Sequence, residues 1–141
     1  MPKPGAPLPT VREIMTSPAV SIVPDLRINL AVQHMRSHQV RRLPVLGNAD
    51  RLVGIVALNE ALVAEAKCRD ANEDMPFVRD VMTDYVYTVA PDESIARAAS
   101  LMASHGIGAL PVVEDSKVIG IVTESDLFKF LATWLEPADA D

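Results

Sequence analysis

Gly120-Ile-Val-Thr123-Glu-Ser-Asp126-Leu-Phe128 joins a β-branched run, Lys117-Val-Ile-Gly-Ile-Val122, to an apolar stretch with helical spacing. A strand runs straight into a helix at this point. Thr followed three residues later by an acid is a capping box. The hydroxyl accepts from the backbone N–H near Asp126, and the carboxylate accepts from the N–H of Thr123. Two readings stand side by side on these residues. In the first, Thr123 and Asp126 start a helix and do nothing else. In the second, a hydroxyl, a carboxylate and the N–H groups of a helix N-terminus form one polar cluster. The N–H groups and the helix dipole suit a phosphate, and the carboxylate suits a sugar diol.

The same pattern occurs twice. Val78-Arg-Asp-Val-Met82-Thr83 repeats Val11-Arg-Glu-Ile-Met15-Thr16 at a spacing of 67 residues. At that spacing Pro24-Asp25 meets Pro91-Asp92, Ile28 meets Ile95, Ala31 meets Ala98, Met35 meets Met102 and His38 meets His105. Leu43-Pro-Val45 meets Leu110-Pro-Val112 and, with one residue lost in a turn, Gly54-Ile-Val56 meets Gly120-Ile-Val122. The chain is therefore two copies of one unit of about sixty residues, too small to bury much apolar surface alone.

With the Met-Thr opening, the Leu-Pro-Val strand and the Gly-hydrophobic-hydrophobic-Thr-x-x-Asp ending, the two copies resemble a tandem pair of CBS domains, the regulatory units named after cystathionine β-synthase. The resemblance runs from about Val11 to about Trp134. It implies an α+β fold of two β-α-β-β-α repeats, packed as one pseudo-two-fold, disc-shaped module with an adenosine-containing ligand in a cleft between the copies. For this chain it implies a ligand site of Thr123, Asp126, Arg42, Arg41, Thr16, Val20, Gly108, Ala109 and Ile121. A second, degenerate site holds Glu60, Asn59, Ala57 and Thr83. Copy 1 departs from the family pattern there. Ala57 has no hydroxyl, and Glu60 is one methylene too long for the same diol geometry, while Asn59 is a candidate cap for the helix.

Arg41 and Arg42 precede the strand Leu43-Pro-Val-Leu46, where copy 2 has Gly108-Ala109. Two adjacent arginines in a loop are ordinarily a solvated, solubilising feature. The resemblance turns this loop toward the ligand cleft, with a basic residue toward phosphate. Arginine suits that role because its planar fork makes two charge-assisted bonds at once.

At 141 residues the length is that of one domain, and 49% hydrophobic residues is ample for a core. Pro, Asp, Arg or Glu interrupts every apolar run well before membrane-spanning length. The start, Met1-Pro-Lys-Pro-Gly-Ala-Pro-Leu-Pro, lacks the apolar core of a secretory signal. A single cysteine, Cys68, fits a reducing compartment, so a cytoplasmic location is expected. The formal charge of −6 supplies no field to hold a phosphate backbone, so no nucleic-acid partner is expected.

In chain order, residues 1–9 read as an extended arm, 10–69 as the first repeat, 70–77 as an acidic, breaker-rich linker, 78–135 as the second repeat and 136–141 as a tail. Val11–Met15 and Val78–Met82 read as short helices, the first with Thr10 as its cap. Ala19–Val23 and Tyr85–Val89 read as strands. Asp25 is placed to cap a helix in which Ile28, Ala31, Val32 and Met35 form one buried face, and Ile95, Ala98, Ala99 and Met102 repeat it. Gly106 is the expected C-terminal cap of the second such helix. Hairpins follow, turning at Gly47–Asp50 and at Glu114–Ser116. The last helix is apolar on more than one face, at Leu127, Phe128, Phe130, Leu131, Trp134 and Leu135. Its surplus either packs within the module or makes a subunit interface. His34 and His38 sit four apart on a helix, but no Cys or HExxH-type glutamate accompanies them, so no metal site is expected.

Ser, Thr and His residues are present, but no Gly-x-Ser-x-Gly turn, P-loop, Rossmann glycine pattern or Cys–His pair is visible, so the chain is read as non-enzymatic and without a required cofactor. The leading expectation is a regulatory module with AMP, ADP, ATP or a related adenosyl ligand as effector. It would be a homodimer and signal to an unidentified regulated protein. The rival is a structural or dimerisation module with unoccupied clefts.

Overall fold

In the computed structural model of the protein, which describes residues 7–135, each repeat follows the same plan. Repeat 1 gives α1 (Val11–Ile14), α2 (Ile28–His38), a hairpin of β1 (Arg42–Leu46) and β2 (Leu52–Ala57), and α3 (Leu58–Ala71). Repeat 2 gives α4 (Val78–Val81), α5 (Ile95–His105), a hairpin of β3 (Ala109–Glu114) and β4 (Lys117–Thr123), and α6 (Glu124–Trp134). The fold is mixed α+β with two two-stranded sheets among the described residues. The first six residues of the expected arm and the expected tail at 136–141 lie outside the described residues. The end of the arm is tied to α5, because Ile95 N–H donates to the Pro9 carbonyl at 3.2 Å.

The two opening strands are corrected to single bridges. Ala19–Val23 and Tyr85–Val89 each contribute one parallel pair, Ile22 with Val45 and Val89 with Val112. Ile22 N–H donates to Pro44 O and its carbonyl accepts from Leu46 N–H. To extend that ladder, residue 44 would donate on one side and residue 24 on the other. Both are proline and have no N–H. Pro111 and Pro91 stop the second ladder in the same way. Alternation still sets burial: Ile22 is in the core and Val23 is exposed.

Two expected caps are also corrected. Asp25 does not cap α2, whose N-cap residue is Arg27 with no side-chain cap bond. The Ile28 N–H is instead satisfied by the Pro76 carbonyl at 2.9 Å. Asn59 does not cap α3, because β2 runs into the helix at Leu58 and leaves Ala57 as the N-cap. Thr10 is the N-cap residue of α1, as expected.

The helix C-termini differ instructively. Gly106 ends α5 at φ 63° and Gln39 ends α2 at φ 57°, both in the left-handed region. A side chain there costs about 1 kcal/mol that glycine avoids. Gln39→Gly is therefore expected to stabilise the protein by about 0.5–1 kcal/mol, less the extra unfolded-state entropy of glycine. A urea melt with unchanged m-value would register it.

The compact units cross the repeat boundary. Among the described residues, one comprises 7–18 with Tyr87–Glu114 and 119–135; the other comprises Ala19–Val86 with Asp115–Val118. The opening helices are exchanged. Val11 is buried in the core with Leu110, Val112 and Val122 of repeat 2, and Val78 in the core with Met35, Leu43 and Val56 of repeat 1. Matched hydrogen bonds hold them: Val11 N–H to Glu93 O and Arg12 N–H to Pro91 O, Val78 N–H to Leu26 O and Arg79 N–H to Pro24 O, all 2.7–2.9 Å. Each fully buried Val, Leu, Ile or Met contributes roughly 1.5–3 kcal/mol relative to exposure, so the exchange binds each repeat to the other. No helix among the described residues is long and apolar enough to cross a membrane.

Candidate functional site

The exchange carries each Met-Thr segment onto the strand that feeds the other repeat's last helix. In the first unit Thr16 and Ile121 exchange both backbone bonds, at 2.9 and 3.0 Å. Ser17 Oγ donates to the Ile119 carbonyl at 2.7 Å and holds the next residue. Gly120 permits this approach, since a Cβ there would lie 2.8 Å from both Thr16 O and Met15 Sδ. In the second unit Ile55 and Thr83 make the equivalent pair at 2.9 and 2.8 Å. A Cβ on Gly54 would meet Met82 Sδ at 2.5 Å and Thr83 O at 2.9 Å. These glycines and Ser17 escaped the sequence-based site. The available signal was a glycine at the same place in both β-branched runs, where it gives up strand propensity.

Asp126 collects the polar groups. Its Oδ2 accepts from Thr123 N–H at 2.9 Å and Thr123 Oγ1 at 3.1 Å, while Asp126 N–H donates to Thr123 Oγ1 at 3.3 Å. The capping box is complete. Its Oδ1 accepts from Thr16 Oγ1 at 3.3 Å, across 110 positions of sequence. An ionised carboxylate has about four acceptor places, so three donors leave about one, on Oδ1. Thr123 and Asp126 are half-buried and Thr16 is exposed, so the open side of the carboxylate reaches water past a side chain that is able to swing.

Gly108, Ala109 and Ile121 belong to the same unit and are buried. The Gly108 carbonyl accepts from Glu124 N–H at 3.0 Å, which pins the strand to the start of α6. Val20, Arg41 and Arg42 belong to the other unit. Val20 packs against that unit's core, the Arg41 carbonyl accepts from Leu58 N–H at 2.8 Å, and Arg42 faces Ala57 in the β1–β2 register.

Thr83, Ala57, Asn59 and Glu60 gather in that second unit at the positions matching Thr16, Thr123, Ser125 and Asp126. The polar network does not repeat there. Glu60 reaches Ala57 N–H at 3.4 Å and is exposed, and Ala57 has no hydroxyl to hold the carboxylate. The His34 and His38 rings lie tilted to one another with centroids 4.4 Å apart, and His38 Nδ1 lies 3.0 Å from the His34 carbonyl. No group of three or more His, Cys, Asp or Glu side chains converges among the described residues.

The repeated plan has a counterpart among known families: the CBS domain model matches twice, over residues 11–67 and 78–133. The chain belongs to the CBS domain family. The CBS domain pair of protein MJ0100, solved in complex with 5′-methylthioadenosine and S-adenosyl-L-methionine, is 27% identical with a TM-score of 0.78, over 90% of this chain and 98% of that one. CBSX2 in complex with AMP is 26% identical with a TM-score of 0.76, over 88% of this chain and 96% of its own. Hypoxic response protein 1 of Mycobacterium tuberculosis is 27% identical over 122 residues, 86% of this chain and 85% of that protein.

Proposed function

We propose that this CBS pair is a non-catalytic, ligand-sensing regulatory module. It takes an adenosine-containing ligand at Asp126 and works as a homodimer that passes its ligand state to a partner protein. The observation that carries this reading is the half-buried Asp126 carboxylate, oriented by Thr123 and Thr16 with acceptor capacity left on Oδ1. A ribose diol supplies two O–H donors to such a group. One takes the open place, and the other replaces the Thr16 hydroxyl, which turns to bond the ligand instead. The adenosyl class is favoured because related CBS pairs hold S-adenosyl-L-methionine, 5′-methylthioadenosine or AMP. Gly108, Ala109 and Ile121, in the same unit as Asp126, are assigned to backbone and apolar contact with the nucleoside.

The second reading, a dimerisation module with no ligand, is favoured by the exposed apolar residues of α6, Phe128 and Leu131. Thermal shift with AMP, ADP, ATP, NAD and S-adenosylmethionine separates the two. A ligand at a hundred times its dissociation constant adds about 2.7 kcal/mol, or roughly 8 °C at this chain length. Thr123→Ala sharpens the test. It costs about 1 kcal/mol through the lost cap on either reading, but the sensor reading also expects the ligand-induced shift to shrink. No shift with any of the five ligands would leave the second reading standing.

A further inference from the structure

Where the linker meets the second opening helix, Arg27 and Phe77 pair backbone to backbone in an antiparallel bridge, and α4 begins at the next residue. Two guanidinium groups lie over the Phe77 ring, Arg27 with its carbon 4.0 Å from the centroid and Arg79 at 4.2 Å. Arg27 Nη1 also donates to the Met75 carbonyl at 2.7 Å, and the backbone under Arg79 is fixed by its N–H bond to Pro24 O at 2.9 Å. Val23 and Leu30 flank Arg27 in the chain and are 54% and 43% exposed. All of these residues belong to the second unit.

The arrangement runs against local stability. Arg27 is the N-cap residue of α2, where it offers no acceptor to the first N–H groups and sets a cation at the positive end of the helix dipole. The matching residue of the other repeat is Ser94, which caps α5 by accepting from Ala96 N–H at 3.1 Å. Arg79 matches Arg12, which pairs with Glu114 at 2.8 Å, but the position matching Glu114 is Gly47, so Arg79 lacks that acid. Two like charges then share one ring, and neither is in an ion pair among the described residues. The apolar pair is also peculiar to this unit, since Val23 and Leu30 match Ala90 and Arg97. Side chains that cost stability where the sister repeat has the stable solution mark a functional surface.

We propose that Arg27, Phe77 and Arg79, with Val23 and Leu30 beside them, dock an acidic segment of the regulated partner protein, each arginine taking a carboxylate and the apolar pair taking its apolar side chains. The inference rests on the partner part of the proposed function and on no ligand. Charge complementarity identifies the occupant. The chain carries −6 overall, so two cations on one ring without an acid are a local reversal of sign that draws carboxylates. A guanidinium stacked on a ring keeps its in-plane N–H fork for a carboxylate, and Arg27 spends one of its five N–H donors on Met75. The stacking also fixes both side chains in advance, so less ordering is left to binding. A free phosphate has no use for Val23 and Leu30, whereas peptide side chains bury them. A nucleic acid or an anionic membrane meets the repulsion of the remaining surface.

Fluorescence anisotropy on the full chain tests this with a labelled peptide of Glu-Glu-Leu repeats. Binding should saturate, weaken with salt, and be at least tenfold tighter than that of Gln-Gln-Leu or Glu-Glu-Ser peptides. Arg27→Ser and Arg79→Ser should each weaken it at least fivefold. Arg27→Ser should do so without melting earlier, because serine is the cap of the sister repeat. Arg12→Ser, at the ion-paired match, should leave binding within about twofold. No saturable binding of the Glu-Glu-Leu peptide, equal binding of the Gln-Gln-Leu peptide, or undiminished binding in Arg27→Ser or Arg79→Ser would overturn the surface. Tighter binding to phosphatidylserine vesicles or to an oligonucleotide than to the peptide would overturn it too, in favour of that other class. Thermal shift with the adenosyl ligands keeps the two proposals apart. Peptide binding with no ligand-induced shift removes the sensor and supports this surface, and a shift with no peptide binding removes this surface alone.

Discussion

Asp126→Ala is expected to weaken adenosyl-ligand binding at least tenfold, and about a hundredfold if both diol contacts are lost. A hydrogen bond to a charged group contributes about 1.5–3 kcal/mol, and about 1.4 kcal/mol is a factor of ten. The wild-type carboxylate is held before the ligand arrives by Thr123 N–H, Thr123 Oγ1 and Thr16 Oγ1, so little ordering cost is left to binding. Asp126→Ala also orphans the Thr123 N–H and removes half of a capping box, a stability loss of about 0.5–2 kcal/mol that a parallel melt records. Asp126→Asn separates the two effects, because its amide oxygen still accepts from Thr123 while the charge is gone. Glu60→Ala is the internal comparison. Glu60 is exposed, reaches Ala57 N–H at 3.4 Å, and has no hydroxyl at Ala57 to orient it, so its loss should change affinity less than twofold. Calorimetry should return one tight ligand per chain and a second bound weakly or not at all. Two equal sites in the wild type, or undiminished tight binding in Asp126→Ala, would show that the inequality does not lie in these residues.

Local chemistry was legible in the sequence wherever a short pattern had a single physical solution. The Thr123–Asp126 box, the Gly106 cap and the buried face of α2 depend on neighbours three or four residues away, and the structure has them where expected; on α5 Ile95, Ala98 and Met102 are buried as expected, but Ala99 is exposed and Leu101 is buried in addition. The bridge residues were visible as β-branched alternation, but the prolines at 24, 44, 91 and 111 outrank propensity. A ladder needs donors, and proline has none. Asp25 and Asn59 were misassigned because a cap is set by where the chain enters the helix, and here that is decided by Pro76 and by the direct run of β2 into α3. The exchange of opening helices was not legible at all from the repeat itself. Val11 and Val78 are equivalent, so packing each within its own repeat or within the other buries the same residue types, and the pattern is silent between them. The meeting of Thr16 with Asp126 depends on that exchange, which is why family resemblance suggested it and periodicity did not.

Gly120→Ala is expected to lower both stability and ligand affinity, whereas Gly54→Ala lowers stability alone. The added Cβ at 120 would stand 2.8 Å from Met15 Sδ and 2.8 Å from the Thr16 carbonyl. A thioether side chain is able to turn aside, but the carbonyl cannot, because it accepts from Ile121 N–H at 3.0 Å and belongs to a two-bond bridge. Relief therefore moves the Met15–Thr16 backbone outward. That stretches the bridge and carries Thr16 Oγ1 away from Asp126 Oδ1, 3.3 Å away in the wild type, and so from the ligand hydroxyl that it would turn to bond. Overpacking of this kind costs about 1–3 kcal/mol, less about 0.4–1 kcal/mol from the stiffer unfolded chain. The net loss of about 1–2 kcal/mol is roughly 3–6 °C in Tm for a chain of this length. Gly54→Ala meets the Thr83 carbonyl at 2.9 Å and should melt about as early. The carboxylate beside it is Glu60, which is not part of the tight site, so affinity should hold. Paired melts and calorimetry on the two variants decide the matter. Equal affinity losses would mean that the ligand reads overall stability, and a Gly120→Ala protein that melts like wild type would mean that the strand yields and the close approach positions nothing.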